Sequence, residues 1–211
     1  MGTQPKFWDK LAEKYAAQPV KDEAAYAEKL KRTRAVLRPE HRVLEFGCGT
    51  GTTARHHAPH VASVLATDFS AEMIRIAQQN AADAHPNLEF RQCTFEEVST
   101  NDGPFDALMG HSILHLLPDY EGAIAHAFDL LRPGGTFISS TACLKTMIPW
   151  FHPVMRPLLY LAGRLGFVPD VNFFSADELR QKIEASGFRV EEMWQPNSTA
   201  AVFIIARKPE N

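Results

Sequence analysis

The sequence has few cysteines and little imbalance of charge. Three cysteines occur in 211 residues, Cys48, Cys93 and Cys143, and no two of them have the Cys-x-x-Cys spacing of a structural zinc site. The odd count also argues against a disulfide framework. Lys and Arg number 22 against 25 Asp and Glu, which gives a formal net charge of −3. We therefore expect free thiols, and no attraction to nucleic acid over the whole chain.

The sequence also lacks any apolar run of the roughly 18 residues that a membrane span requires. Its first ten residues, MGTQPKFWDK, contain no apolar core of a secretory signal peptide. Hydrophobic residues make up 45% of the composition, which is enough for one substantial core. These features predict a single-domain, cytoplasmic protein.

Helix and strand patterns alternate along the chain. Strands are predicted at 42–46, 61–68, 87–93, 105–111, 136–142, 188–194 and 200–207, and helices at 52–58, 71–85, 119–131 and 175–187. Ser70 is a good N-cap for one of these helices, and Ser175 with Glu178 forms the pattern of a capping box for the last. The alternation predicts an α/β fold with a seven-stranded, mostly parallel sheet that helices cover on both faces.

Three glycines alternate in VLEFGCGTG, residues 43–51, directly after the first predicted strand. Gly47, Gly49 and Gly51 allow a sharp turn and a close approach of a ligand to the backbone. Asp68 ends the next strand, where its carboxylate can accept both hydroxyls of a ribose. Ligands bind at this carboxyl edge of a parallel sheet, where the strand order reverses. Together, the glycine turn and Asp68 predict a cofactor that carries a nucleoside.

The glycine spacing distinguishes between nucleoside cofactors. A dinucleotide-binding G-x-G-x-x-G motif would need glycine at the position of Thr52. The stretch E-x-G-x-G-x-G resembles instead the first motif of class I S-adenosylmethionine-dependent methyltransferases. ATDFSAEMIRIAQ resembles the second strand of that family, FDALMGHSILHLLPD the fourth strand, and LLRPGGTFISS the hairpin into strand five. The resemblance covers about residues 40–142 and is nearest to the small-molecule branch that includes quinone-biosynthesis methyltransferases.

The resemblance implies a Rossmann-like sheet with a helical lid, S-adenosylmethionine as cofactor and S-adenosylhomocysteine as product. In much of the family an Asp follows strand three, and Thr94 stands there in this chain. The implied cofactor contacts are Glu45 at the amino group, Gly47, Cys48 and Gly49 at the methionine and ribose, Asp68 at the ribose hydroxyls, Phe69, Met73, Thr94 and Phe95 at the adenine, and Gly110 and His111 beside the methyl group. Met73 is equally compatible with a core position.

The resemblance also indicates residues for catalysis. His111 is the predicted general base, because the unperturbed pKa of histidine lies near neutral and its position is beside the methyl group. Tyr15 and His115 are weaker candidates. Trp8 and Tyr15 lie on one face of a predicted N-terminal helix and form part of the expected lid, with ordinary helix docking as the alternative. His111 and His115 could share a helical face, but no third ligand is spaced for a metal.

The single domain is divided into four predicted parts: an N-terminal helical cap at 1–39, a cofactor-binding core at 40–142, a helical insertion over the acceptor site at 143–174, and a C-terminal helix and strand pair at 175–211. Residues 29–39 contain five basic residues and no acid, a pattern more typical of a solvated helix face than of a nucleic-acid surface.

The insertion is unusual because 143–169 contains aromatic and basic residues but no acid. This composition favours a lipophilic or anionic acceptor, or transient contact with a membrane surface through 145–168. A flap packed on the domain or a dimer contact is an equally good interpretation.

The function expected from these patterns is transfer of a methyl group from S-adenosylmethionine to a small-molecule acceptor by in-line displacement. Two alternatives stay open. A non-catalytic sensor or partner subunit would bind the same cofactor without turnover. A nicotinamide-dependent oxidoreductase would also use Gly47, Gly49 and Asp68. No nucleic-acid partner is expected.

Overall fold

A seven-stranded sheet forms the centre of the protein. The computed structural model describes residues 4–81, 85–147, 161, 168–169, 171–197 and 199–210. The strands, in spatial order, are β3 (Leu88–Gln92), β2 (Ser63–Asp68), β1 (Arg42–Phe46), β4 (Phe105–His111), β5 (Leu131–Thr141), β7 (Val202–Arg207) and β6 (Arg189–Trp194). The pairings from β3 to β5 are parallel, and β7 is antiparallel to both of its neighbours. The predicted seven-stranded, mostly parallel sheet is confirmed.

Helices connect most of these strands. They are α1 (Gln4–Ala16), α2 (Glu23–Val36), α3 (Thr52–His57), α4 (Ala71–Ala81), α5 (Tyr120–Leu130), α6 (Leu144–Met147) and α7 (Ala176–Ala185). Short 3-10 helices lie at Ala58–His60, Phe95–Glu97 and Leu114–Leu116.

Local cap residues set where several helices begin. Ser175 accepts the backbone N–H of Glu178 at 3.1 Å, and Glu178 accepts the backbone N–H of Ser175 at 2.7 Å, so the predicted capping box is confirmed. Ser70 caps α4 by accepting the N–H of Met73 at 3.2 Å. Asp22 caps α2 in the same way. Each cap satisfies a backbone donor that the helix leaves unpaired, and each contributes about 1 kcal/mol.

Helices cover both faces of the sheet, each over its own apolar core. The core on the face beneath α3 and α4 includes Val43, Ala54, Ala66, Ile74 and Met109. The core beneath α5 and α7 includes Phe46, Leu108, Ile124, Leu179 and Ile183. Burial on both faces explains why the central strands read as near-continuous apolar runs.

The strand order reverses between β1 and β4. Leu44 of β1 pairs with Leu65 of β2 on one side and with Leu108 of β4 on the other. The connections that leave β1 and β4 run to opposite sides, so a crevice opens at the carboxyl ends of these two strands. This position is where the sheet can receive a ligand.

The N-terminal helix α1 is docked on α4. Ala12 is fully buried against Met73 and Ile76. Asp9 accepts a hydrogen bond from the Ser70 hydroxyl at 2.6 Å. This docking places the C-terminal end of α1 above the carboxyl edge of the sheet.

The predicted insertion over 143–174 is described only in part. Helix α6 and residues 171–174 belong to the structure, whereas most of 145–168, with the predicted membrane contact, lies outside the described residues. No helix in the described part of the chain combines the length and the apolar character that crossing a bilayer requires.

Candidate cofactor and acceptor site

A cavity of about 670 Å³ opens at the carboxyl ends of β1 and β4. Its walls come from the end of α1, one face of α2, the turn after β1, the end of β4 and the loop before β7. The predicted site residues on these walls are Tyr15, Glu45, Gly47, Cys48, Gly49 and His111. The cavity therefore lies where the strand order reverses, as expected for a ligand site in such a sheet.

The three glycines of the turn differ in how much space surrounds them. All three have left-handed backbone angles, with φ of 63° at Gly47, 54° at Gly49 and 74° at Gly51. A Cβ on Gly47 would lie 2.7 Å from Ile113, and a Cβ on Gly51 would lie 2.6 Å from Phe90. A Cβ on Gly49 would approach no protein atom closer than 3.7 Å. Packing therefore requires glycine at two positions, while Gly49 leaves a bare backbone beside open space.

Asp68 holds this turn in place. One carboxylate oxygen accepts the backbone N–H of Gly49 at 2.9 Å, and the other accepts the N–H of Ser70 at 2.9 Å. Burial raises the pKa of Asp68 above its ordinary value, and the two N–H donors oppose that rise. The residue is 7% exposed and lies off the cavity wall. Each oxygen keeps a lone pair that can accept a hydroxyl.

Glu45 is the most strongly perturbed acid of the site. It lies on the cavity wall, is 3% exposed, and its Oε2 has no hydrogen-bond partner among the described residues. Burial raises the pKa of Glu45 to about 8. The carboxyl is therefore mostly protonated at neutral pH, and a cation bound beside it would favour the ionised form.

His111 ends β4 on the opposite side of the crevice. Its Nε2 is buried and has no partner among the described residues. Burial, together with the positive charge of Lys29, lowers the pKa of His111 to about 4. Burial therefore weakens the case for the predicted general-base role of His111, because the imidazole loses its hydration at the end of the strand. His111 is neutral at pH 7 and is a weak base.

His115 lies in the 3-10 helix Leu114–Leu116, off the cavity wall. Burial lowers its pKa to about 4. The predicted shared helical face with His111 is wrong, because His111 ends a strand and Ser112 turns the chain with a φ of 56°. Among the described residues no group of three or more histidines, cysteines and acids is placed to hold a metal ion.

The predicted lid residues divide between two roles. Tyr15 lies on the cavity wall above Gly49. Trp8 lies off the wall and packs on the cluster of Ala12 and Met73, with its ring edge-on to Tyr15 at 6.4 Å between centroids. Met73 is 3% exposed, as its alternative interpretation as a core residue requires. The tertiary packing of α1 on α4 thus places Met73 in the core and leaves Trp8 partly buried beside it.

Four further predicted cofactor contacts lie off the cavity wall. Phe95 stacks on Phe46 with 4.1 Å between ring centroids and is 5% exposed. A Cβ on Gly110 would overlap the same Phe46 ring, so packing requires this glycine. Thr94 caps the short helix that begins with Phe95. Phe69 is half-buried just after β2.

Comparison with known proteins matches the same part of the chain. Residues 43–135 match a family model described as a methyltransferase domain. A ubiquinone biosynthesis O-methyltransferase of Alkalilimnicola ehrlichii is 35% identical over 101 residues, 47% of this chain and 41% of the relative. A trans-aconitate 2-methyltransferase of Deinococcus radiodurans is 39% identical over 100 residues, 46% of this chain and 36% of the relative. Residues 43–135 therefore resemble a methyltransferase domain, and this likeness covers less than half of the chain.

The fold is also that of solved structures. A structure described as a DhpI–SAH complex aligns with a TM-score of 0.76 at 23% identity, over 99% of this chain and 97% of the other. The matches to the curated relatives above span about two fifths of those proteins, 41% and 36%. The matched segment contains Glu45, the glycine turn and His111, so it supplies one side of the cavity.

The cavity also contains residues that the sequence did not indicate. Tyr26, Lys29 and Thr33 lie on the wall from α2, at the helical spacing of one face. The interpretation of 29–39 as a solvated face is wrong for Lys29, which is half-buried, and for Thr33, which is 1% exposed. Ser140 of β5 reaches the same wall. The spacing along α2 was the signal that could have found the first three.

Proposed function

We propose that this chain binds S-adenosylmethionine in the cavity at β1 and β4 and transfers its methyl group to a small-molecule acceptor. Glu45 carries the proposal, as a buried carboxyl on the wall with an oxygen that has no partner among the described residues. An unpartnered buried acid is costly unless a ligand pairs with it. The ammonium group of the cofactor's methionine part is such a ligand. The bare backbone of Gly49, next to Glu45 on the same wall, allows the close approach that the cofactor needs.

The relatives support the same reaction class. Two curated relatives are named as methyltransferases, one for ubiquinone biosynthesis and one for trans-aconitate, and a structural neighbour is described as a complex with SAH. The glycine turn also disfavours the nicotinamide alternative. Its third glycine, Gly51, is fixed by contact with Phe90 and is one residue too early for a dinucleotide motif.

In this proposal S-adenosylmethionine supplies a methyl group that its sulfonium has already activated. The chain aligns the acceptor and excludes water. Glu45 binds the ammonium group, Asp68 accepts the ribose hydroxyls, and Tyr15 covers the turn at Gly49. His111, neutral and at the end of β4, orients the acceptor through a hydrogen bond. A strong general base is not part of this arrangement.

Isothermal titration calorimetry of the pure chain with S-adenosylhomocysteine tests the cofactor. We expect binding to the wild-type chain, at least tenfold weaker binding to Glu45→Ala, and no binding of NADH to either. Absence of heat with S-adenosylhomocysteine on folded protein would remove the proposal. Labelled S-adenosylmethionine with a panel of acceptors then tests transfer, and binding without transfer to any acceptor would favour a sensor or partner subunit.

A further inference from the structure

Lys29 presents an ammonium group to this cavity from the middle of α2. The residue is half-buried, and no acid among the described residues forms an ion pair with it. The next basic residues on the helix do have partners, because Lys31 and Arg32 both pair with Glu28. Burial lowers the pKa of Lys29, and Asp22 only partly opposes this change. A partly desolvated cation without a partner lowers stability, so an anionic ligand would compensate it.

Hydrogen-bonding groups without partners lie on the same wall. Thr33 Oγ1, Ser140 Oγ and His111 Nε2 are buried, and none has a partner among the described residues. Lys29 and His111 line the same cavity, and the charge of Lys29 contributes to the lowered pKa of that ring. Two hydroxyl donors beside one ammonium group match the acceptor oxygens of a small oxyanion.

The acids of the cavity wall do not neutralise this region. Glu45 is assigned above to the ammonium group of the cofactor. Asp22 caps α2, where its carboxylate accepts the backbone N–H of Ala25 at 2.9 Å. Lys29 is one full helical turn and more beyond that cap. The positive charge beside His111 is therefore available to a ligand.

We propose that the acceptor is a small organic acid and that Lys29 binds its carboxylate, with the Thr33 and Ser140 hydroxyls as hydrogen-bond donors. The inference rests on the proposed function, since it names the acceptor class of the same cavity. It selects the anionic acceptor over the lipophilic one. Methylation of a carboxylate oxygen forms an O–C bond while the C–S bond breaks and its electron pair stays on sulfur. No proton has to leave, which fits a cavity whose histidine is a weak base.

Calorimetry on protein saturated with S-adenosylhomocysteine tests the carboxylate site. The probes are benzoate, octanoate and trans-aconitate, with benzamide and octanamide as neutral counterparts. We expect at least one carboxylate to bind more tightly than its neutral counterpart. Lys29→Ala should weaken that binding about 10- to 100-fold, the loss of one charge-assisted hydrogen bond, and Lys29→Arg should restore most of it. Lys31→Ala is the matched control, because that side chain is 80% exposed on the same helix.

A second measurement separates lost binding from lost folding. Lys29→Met removes an unpaired, half-buried charge, so its thermal midpoint should equal or exceed that of the wild type. Equal carboxylate binding by wild type and Lys29→Ala overturns the inference, as does a panel in which no carboxylate binds, and in both cases the proposed function stands. Failure of S-adenosylhomocysteine itself to bind removes both. Labelled methyl transfer to a carboxylate that gives an ester sensitive to Lys29→Ala supports the assignment.

Discussion

Asp68, the last residue of β2, accepts the backbone N–H of Gly49 at 2.9 Å and thereby ties the end of one strand to the turn after its neighbour. The second oxygen of the same carboxylate accepts the N–H of Ser70, at the start of α4. One acid thus fixes the glycine turn and the entry to the next helix together. The backbone around Gly49 and Ser70 is therefore held in its conformation without a bound ligand.

Asp68→Asn should lower both stability and cofactor affinity. Both oxygens accept backbone N–H groups, so the amide must direct its own N–H₂ at one of them. A buried donor facing a donor costs about 1–3 kcal/mol. We expect a lower thermal midpoint and at least tenfold weaker binding of S-adenosylhomocysteine. Asp129→Asn, a change at an exposed acid of α5, is the control, and equal effects of the two substitutions would contradict this role.

Glu45 should couple cofactor binding to proton release. Its carboxyl has a pKa of about 8 in the free protein and ionises beside a bound ammonium group. At pH 6.5 about one proton should leave for each S-adenosylhomocysteine bound, and affinity should rise with pH until about pH 8. Calorimetry in buffers of different ionisation enthalpy measures this proton. Glu45→Gln should abolish the release, whereas Glu96→Gln, at an exposed acid, should keep it.

The same residue predicts how the free protein responds to pH. The folded-state pKa of Glu45, about 8, lies above the ordinary value of 4.5. Its contribution to stability is therefore fully present below pH 4.5 and is lost as the pH rises through 8. Thermal melts of Glu45→Gln should fall less steeply between pH 5 and about 8.5 than those of the wild type. Parallel curves for the two proteins would show that Glu45 is not buried as an acid.

Substitution of Gly51 should mainly lower stability, whereas substitution of Gly49 should mainly lower cofactor binding. Gly51→Ala introduces a Cβ 2.6 Å from the Phe90 ring, so overpacking adds about 1–3 kcal/mol to the strain of the left-handed backbone. Gly49→Ala carries only the backbone strain, about 1–2 kcal/mol, because its Cβ would meet only the Tyr15 ring, at an ordinary contact distance of 3.7 Å. Denaturant melts should rank Gly51→Ala below Gly49→Ala. Calorimetry with S-adenosylhomocysteine should show that Gly49→Ala loses more binding free energy than Gly51→Ala for each kcal/mol of stability that it loses.

His111 should act by position and not by titration near neutral pH. With a pKa of about 4, the ring stays neutral from pH 6 to 8, so its ionisation should not appear in the turnover profile there. NMR of the imidazole protons should place its titration below pH 5. His111→Ala should lower turnover and leave the affinity for S-adenosylhomocysteine nearly intact. His56→Ala, at an exposed neighbouring histidine, is the control. A midpoint near 6.5 for His111 would restore the general-base role.

The sequence indicated the glycine turn and the residues around it because their signals are local. The glycine turn, Asp68 and the Ser70 cap each depend on a few adjacent residues, whose steric and hydrogen-bonding demands can be read directly. The strands β1 and β4 were predicted to the residue for the same reason, because each is a short, mostly apolar run with clear ends.

The part of the cavity wall formed by α2 and β5 could not be predicted in this way. Lys29 and Thr33 meet Ser140 only after α2 has packed across the strand ends, and no local pattern encodes that contact. His57 is a similar case, since a histidine next to His56 in a short helix gives no local sign of burial, yet His57 is fully buried and its pKa is lowered to about 3. Tertiary packing decides both outcomes.

The packing of Phe90 against Gly51 also restricts which substitutions this chain can accept at the two positions. The ring of Phe90, from β3, fills the space that a side chain at position 51 would need. Substitutions at the two sites are therefore expected to occur together in descendants of this chain. If Gly51 is replaced first, Phe90 must then change to a smaller residue. If Phe90 is replaced first by a smaller residue, position 51 can accept a side chain and the turn can change its backbone conformation.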